Sequence, residues 1–213
     1  MIRILIVDDH PVVRRGLRAA LEEMTDMKVV DEAQDGPDAL KKARALTPDV
    51  VLLDISLPGQ SGLDILKHLH AEMPEIRILI LSTYPEKQYA IRCLRNGALG
   101  YLTKESASEE LVNAVRKVAG GRKYVSTSLG ELLASELHTN QAKMPHEDLS
   151  DREFSVLCLL GRGKTVSQIA RLLSLGVPTV NTYRSRLLEK MKMDSTAQLM
   201  HYAIENKLID KIE

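Results

Sequence analysis

The run Val50-Val51-Leu52-Leu53 ends in Asp54, and three other apolar runs along the chain end in polar residues. Ile4-Leu5-Ile6-Val7 leads into Asp8 and Asp9, Ile78-Leu79-Ile80-Leu81 into Ser82, and Tyr101-Leu102 comes shortly before Lys104. Short uninterrupted apolar runs of this kind are strands buried on both faces. Working outward, amphipathic helical segments separate them, with strands expected near 2–7, 28–33, 49–54, 77–82 and 98–102, and helices near 11–24, 36–47, 61–73, 85–96 and 106–119. Such alternation specifies an α/β domain with a five-stranded, parallel, doubly wound sheet. All strands of a parallel sheet end at one edge, where open α/β sheets bind ligands. Asp8, Asp9, Asp54, Ser82 and Lys104 are therefore expected side by side.

Local signals support the element limits. Pro11 suits a first helical position, Ser106 with Glu109 reads as a capping box, and Gly120-Gly121 closes the fifth helix and a first domain of residues 1–121. Residues 122–146 lose the rhythm and read as a linker, in which Leu129, Leu132, Leu133 and Leu137 form one short amphipathic helix. A second domain, 147–213, is purely helical in period. Ser150 with Glu153, Thr165 with Gln168 and Ser195 with Gln198 each open a helix, and Leu175-Gly176 turns the chain into a further helix from about Val177 to Met191. Four helices, a glycine turn and a basic face on the third describe a helix-turn-helix, whose second motif helix enters a groove of double-stranded DNA.

Charge narrows the choice of partners less than position does. The 213 residues carry 29 basic and 29 acidic side chains, so net charge implies neither a nucleic-acid nor a membrane partner. The basic signal is local: Arg184, Arg186, Lys190 and Lys192 stand against Glu189 alone. Cys93 and Cys158 lack metal-ligand spacing and read as buried free thiols of a reducing compartment. The apolar run before Asp8 is too short for a signal peptide, and no stretch approaches the roughly 18 apolar residues of a membrane span. A soluble, cytoplasmic protein is expected.

Three carboxylates in one cleft repel one another unless a divalent cation binds among them. Oxygen ligands without His or Cys indicate magnesium or manganese, with water and a backbone carbonyl completing the octahedron. In that setting Asp54 is the nucleophile of an acyl-phosphate reaction, and Lys104 and Ser82 are suited to the oxygens of the transferring group.

These residues, with Leu57-Pro58-Gly59 after the acceptor and Gly100-Tyr101-Leu102 before the lysine, resemble the receiver domain of two-component response regulators over roughly the first 120 residues. The resemblance implies a flavodoxin-like fold and phosphorylation of Asp54 by a sensor histidine kinase. It further implies metal ligation by Asp9, Asp54 and the backbone carbonyl of Ser56, with Asp8 acting through water, and a switch pair of Ser82 and Tyr101. Residues 149–206 resemble the helix-turn-helix of the NarL/FixJ (LuxR-type) regulators through Leu149-Ser150-Asp151-Arg152-Glu153, Gly163, Ile169-Ala170, Leu173, Thr179-Val180, Tyr183, Leu187-Leu188 and Lys190-Met191. By that likeness Asn181, Thr182 and Ser185, following Thr179, face the major groove. Arg184, Arg186 and Lys190 hold phosphates, with Lys164 and Thr165 assisting. Leu199 and Ala203, four apart on the last helix, are the expected surface of a homodimer promoted by phosphorylation.

The sequence departs from these patterns in places. Thr83 and Glu105 replace a small residue and a proline common in receivers, and Gly176-Val177-Pro178 shifts the proline that opens the recognition helix. The reading is a phosphorylation-controlled transcriptional regulator, not an enzyme apart from self-phosphorylation and slow autodephosphorylation. One alternative is a magnesium-dependent aspartyl-phosphate phosphohydrolase, which would need a second carboxylate where Ser56 stands. Another is DNA binding independent of phosphorylation, or a sigma-factor-like contact with RNA polymerase.

Overall fold

The computed structural model describes residues 1–57, 61–138, 144–206 and 208–209, with the side chains of 108, 109 and 135–138 outside the description. The chain divides into two compact units, Met1–Ala134 and Ser135–Glu213. No described helix is long and apolar enough to cross a membrane.

In the first unit β1 (Ile2–Val7), β2 (Met27–Ala33), β3 (Val50–Leu53), β4 (Arg77–Ser82) and β5 (Gly100–Thr103) alternate with α1 (Pro11–Glu22), α2 (Gly36–Leu46), α3 (Gly62–Glu72), α4 (Glu86–Arg95) and α5 (Ala107–Ala119). All pairings are parallel, in the order β2-β1-β3-β4-β5. Ile4 to Val7, Val50 to Leu53 and Ile78 to Leu81 are all buried, which is why these strands read as continuous apolar runs. The order reverses direction between β1 and β3, so the crevice for a ligand opens at the carboxyl ends of those two strands. Asp54 lies just beyond β3 rather than ending it. Behind it, a Cβ on Gly62 would meet the Asp54 carbonyl oxygen and Ile55 Cα, each at 2.4 Å, so the start of α3 approaches the acceptor loop closely enough to exclude any side chain.

One expected cap is absent. Ser106 makes no side-chain cap hydrogen bond to α5; its hydroxyl donates to the Thr103 carbonyl at 3.2 Å instead, and the Glu109 side chain lies outside the described residues. The competing local bond within the β5 turn takes the hydroxyl.

The segment after α5 is not the free linker expected from its composition. Gly121, at φ 73°, reverses the chain, and the Tyr124 amide then donates to the Leu99 carbonyl at 2.8 Å, with a parallel bridge between Tyr124 and Gly100. Tyr124 is buried and its hydroxyl donates to Glu110, whose negative charge, after burial, helps push the phenol well above its usual range. The Ser126 hydroxyl donates to the Glu86 carboxylate at the start of α4, at 2.7 Å, and Ser128 donates to the same carboxylate. The expected short helix runs as α6 (Thr127–His138), with Leu129 fully buried.

The described residues of the second unit form a 3-10 turn (Pro145–Asp148) and α7 (Asp151–Gly161), α8 (Val166–Leu172), α9 (Val177–Met191) and α10 (Thr196–Glu205). The boxes at Ser150/Glu153 and Thr165/Gln168 form in full. Ser195 accepts from the Gln198 amide, but the Gln198 side chain turns to the Asp194 amide. Phe154, Leu157, Ile169, Val180, Leu187 and Leu199 are in the buried core. Leu199 and Ala203 are both fully buried, and a Cβ on Gly161 of α7 would lie 2.8 Å from the Ala203 Cβ. They therefore pack α10 onto its own domain and offer no surface to a partner. Ala197, Gln198, His201, Ile204 and Glu205 are the exposed residues of that helix.

Candidate functional site

The loop after β1 and the loop after β3 bring Asp8 and Asp54 together, each only 1% exposed. Lys104, just past β5, lies between them, its Nζ 2.7 Å from Asp54 Oδ2 and 2.6 Å from Asp8 Oδ2. The other Asp54 oxygen, Oδ1, accepts from the Ser56 amide at 2.8 Å, which fixes the carboxylate plane. Burial pushes the Asp54 carboxyl above its usual range, against the pull of the Lys104 charge. For Lys104, burial alone would favour the neutral amine, but the Asp54 and Asp8 carboxylates reverse that and raise it. Both partners are thus costly to desolvate and are held charged chiefly by each other.

Ser82 is fully buried at the end of β4, its Oγ accepting from the Tyr84 amide at 3.0 Å. Tyr101 is also fully buried, with its ring turned inward and its hydroxyl donating to the Tyr84 carbonyl at 2.7 Å. The two residues named as a switch pair therefore converge on one residue of the β4–α4 loop. Pro58 and Gly59, which follow the acceptor in sequence, lie outside the described residues.

The donor set fits a hard divalent cation. Asp8 Oδ2, Asp9 Oδ1 and Ser56 Oγ are buried and make no hydrogen bond of ordinary geometry, so carboxylate lone pairs are available. Asp8 Oδ2 still has the Lys104 ammonium as ion-pair partner, which leaves the cluster short of positive charge rather than without any. One residue of the cluster escaped the sequence reading. His10, between the acid pair and Pro11, places Nδ1 2.7 Å from Asp9 Oδ1, and one donor atom from each of Asp8, Asp9, His10 and Asp54 falls within 4.8 Å of the others. Its signal was adjacency to Asp8 and Asp9, but only the turn into α1 directs the ring back toward the cleft.

On α9, burial of Val180, Leu187 and Met191 defines the inner stripe. Thr179, Thr182, Ser185 and Arg186 are exposed, Asn181 is half-buried beside them, and Lys164 and Thr165 are exposed at the turn before α8. Two of the expected phosphate contacts have neighbours within the domain. Arg184 is half-buried, because it sits four residues after Val180 and three before Leu187 on the inner stripe. Lys190 pairs its ammonium with Glu153 Oε2 at 2.7 Å. Burial would raise the Glu153 carboxyl, but Lys190 and the Ser150 amide hold it below the usual range, so the charge of Lys190 is already engaged within the domain. Glu189 is exposed on the outer face one turn after Ser185.

Comparison with known proteins agrees with both halves of this description. Residues 4–116 match the response regulator receiver domain, and residues 147–203 match the bacterial regulatory proteins of the luxR family. The chain is 35% identical to the response regulator UvrY of Escherichia coli over 209 residues, 98% of this chain and 96% of that one. It is also 35% identical to the transcriptional regulatory protein LiaR of Bacillus subtilis over 211 residues, 99% of this chain and 100% of that one. Among solved structures, a complex of the two-component response regulator RcsB with DNA is similar at a TM-score of 0.60 and 25% identity, covering 95% of this chain and 98% of that one.

Proposed function

The chain belongs to the two-component response regulators that join a receiver domain to a LuxR-type helix-turn-helix, and on that premise we propose that it is a transcriptional regulator switched by phosphorylation of Asp54 by a sensor histidine kinase. The observation that carries this reading is the Lys104 ammonium seated on both the Asp54 and Asp8 carboxylates at the carboxyl edge of the sheet. An Asp54 oxygen attacks the phosphorus of a phosphohistidine, the P–N bond breaks, and the histidine nitrogen leaves with the electron pair. Lys104 then follows the new charge from carboxylate to phosphoryl oxygen, and Ser82 and Tyr101 report the change to the β4–α4 loop. Asp9, Asp54 and the Ser56 carbonyl, with Asp8 beside them, would hold a magnesium or manganese ion, which would neutralise the transferring group. Phosphohydrolase chemistry is disfavoured because Ser56 stands where a second carboxylate would be needed.

The same reading divides the chain into a receiver of residues 1–121, a connecting segment of 122–146 and a DNA-binding domain of 147–213. Thr179, Asn181, Thr182 and Ser185 read bases, and Arg186, Lys164 and Thr165 hold phosphates. Homodimerisation accompanies DNA binding, on the exposed Ala197, His201 and Ile204 face of α10 rather than through Leu199 and Ala203. The compartment is the cytoplasm, where kinase and DNA are both within reach. The test is intact-mass measurement after exposure to a small phosphodonor: wild type gains one phosphoryl group and Asp54→Asn gains none. Full incorporation by the variant would move the acceptor elsewhere.

A further inference from the structure

Beyond the three carboxylates, the acceptor cleft holds a nitrogen donor. His10 is 62% exposed, and it is the N-cap residue of α1 without making a side-chain cap hydrogen bond, its ring turning to the acid pair instead. Its own amide donates to Asp8 Oδ1 at 2.8 Å, which folds the side chain back over the acid pair. Nδ1 then lies 2.7 Å from Asp9 Oδ1 and 3.3 Å from Asp8 Oδ1. The Asp9 contact is close, yet Asp9 Oδ1 accepts no hydrogen bond of ordinary geometry from the ring. The ring nitrogen also hydrogen-bonds Asp8 Oδ1, and one donor atom from each of Asp8, Asp9, His10 and Asp54 lies within 4.8 Å of the others, close enough to share one ion. Adjacent ligands of an octahedral ion with bonds of about 2.1 Å lie about 3 Å apart, which matches both separations. Asp8, only 1% exposed, aims Oδ2 into the same cleft, where the Lys104 ammonium 2.6 Å away is its ion-pair partner.

We propose that His10 supplies an imidazole nitrogen to this centre, making it a mixed nitrogen–oxygen site that holds manganese and the later first-row divalent ions more tightly than magnesium. The inference rests on the metal reading of the cleft given above and narrows it to a class of ion. Magnesium keeps its waters and gains little from imidazole, whereas manganese and its neighbours accept nitrogen readily, with affinity rising along the series. Carboxylates alone follow the same order, and the imidazole widens the difference. The neutral ring also adds a ligand without adding charge to a cluster that Lys104 already partly neutralises.

The test uses the full chain loaded with manganese. Electron spin-echo spectroscopy of the wild-type protein is expected to show coupling to an imidazole nitrogen, shifted as it should be when histidine is labelled with nitrogen-15, and to lose it in His10→Ala. In titrations of the same proteins, the variant should bind manganese about tenfold more weakly while its magnesium affinity stays within about twofold. His10→Ala removes no cap bond, and its melting curve establishes that it is folded. Manganese binding without nitrogen coupling, or an equal loss of affinity for both ions, overturns the assignment of His10 and leaves the carboxylate site standing. Failure of wild type to bind either ion overturns both.

Discussion

A methyl group on Gly62 would sit 2.4 Å from the Asp54 carbonyl oxygen and from Ile55 Cα, and both obstacles are backbone. Neither can rotate away as a side-chain end could, so Gly62→Ala has to push α3 and the acceptor loop apart. The expected cost is about 1–3 kcal/mol, seen as a lowered melting temperature of the receiver transition; an unchanged transition would show that the contact yields freely. Residues of this kind mark the limit of what was legible. Asp8, Asp9, Asp54, Ser82 and Lys104 could be read together because each follows an apolar run, and strands of a parallel sheet deliver their ends to one edge. Gly62 and His10 could not, since their importance comes from a close approach and from a ring direction that only the folded backbone sets.

In α9 the helical period correctly separated an inner from an outer face, but period alone does not say which partner takes a charge. Lys190 is expected at DNA from its place on a basic helix, and without DNA it pairs with Glu153, 37 residues earlier in the chain. Arg184 is half-buried, because its spacing from Val180 and Leu187 lays its stem beside the packed stripe. Exposed Arg186 and engaged Lys190 should accordingly behave differently. Arg186→Ala should weaken binding to specific and random duplexes alike and reduce the salt slope by about one unit. Lys190→Ala should leave the slope nearly unchanged and instead lower the melting temperature of the DNA-binding domain, because Glu153, 3% exposed, loses its counter-charge. Binding curves at several salt concentrations, paired with melts, measure both. A full one-unit drop in slope for Lys190→Ala would mean that DNA displaces Glu153 from the pair.

At the scale of the whole molecule the proposed function gives the two units different parts of one response, with Lys104 as the group through which the first acts. Its ammonium bridges Asp8 and Asp54, so Lys104→Ala should leave Asp54 able to take a phosphoryl group while removing the charge that follows it. Phosphorylated Lys104→Ala is expected to bind DNA no more tightly than its unphosphorylated form, where the wild type gains affinity; a full gain in the variant would exclude the lysine from coupling. The architecture of both units was readable because their hydrophobic periods differ, two-sided strands against amphipathic helices. The fate of residues 122–128 was not, since a polar stretch is silent about whether it hangs in water or lies down on a neighbour. Its docking matters for a property of the sheet itself. β5 is the last strand in the order and would otherwise expose unpaired amides and carbonyls, the template on which extended chains assemble. Tyr124, paired to Gly100 and Leu99, closes part of that row. The stretch leading out of the receiver thus also shields it from self-association, and a receiver fragment cut at Gly121 would have a sticky edge that one ending at Ala134 keeps covered.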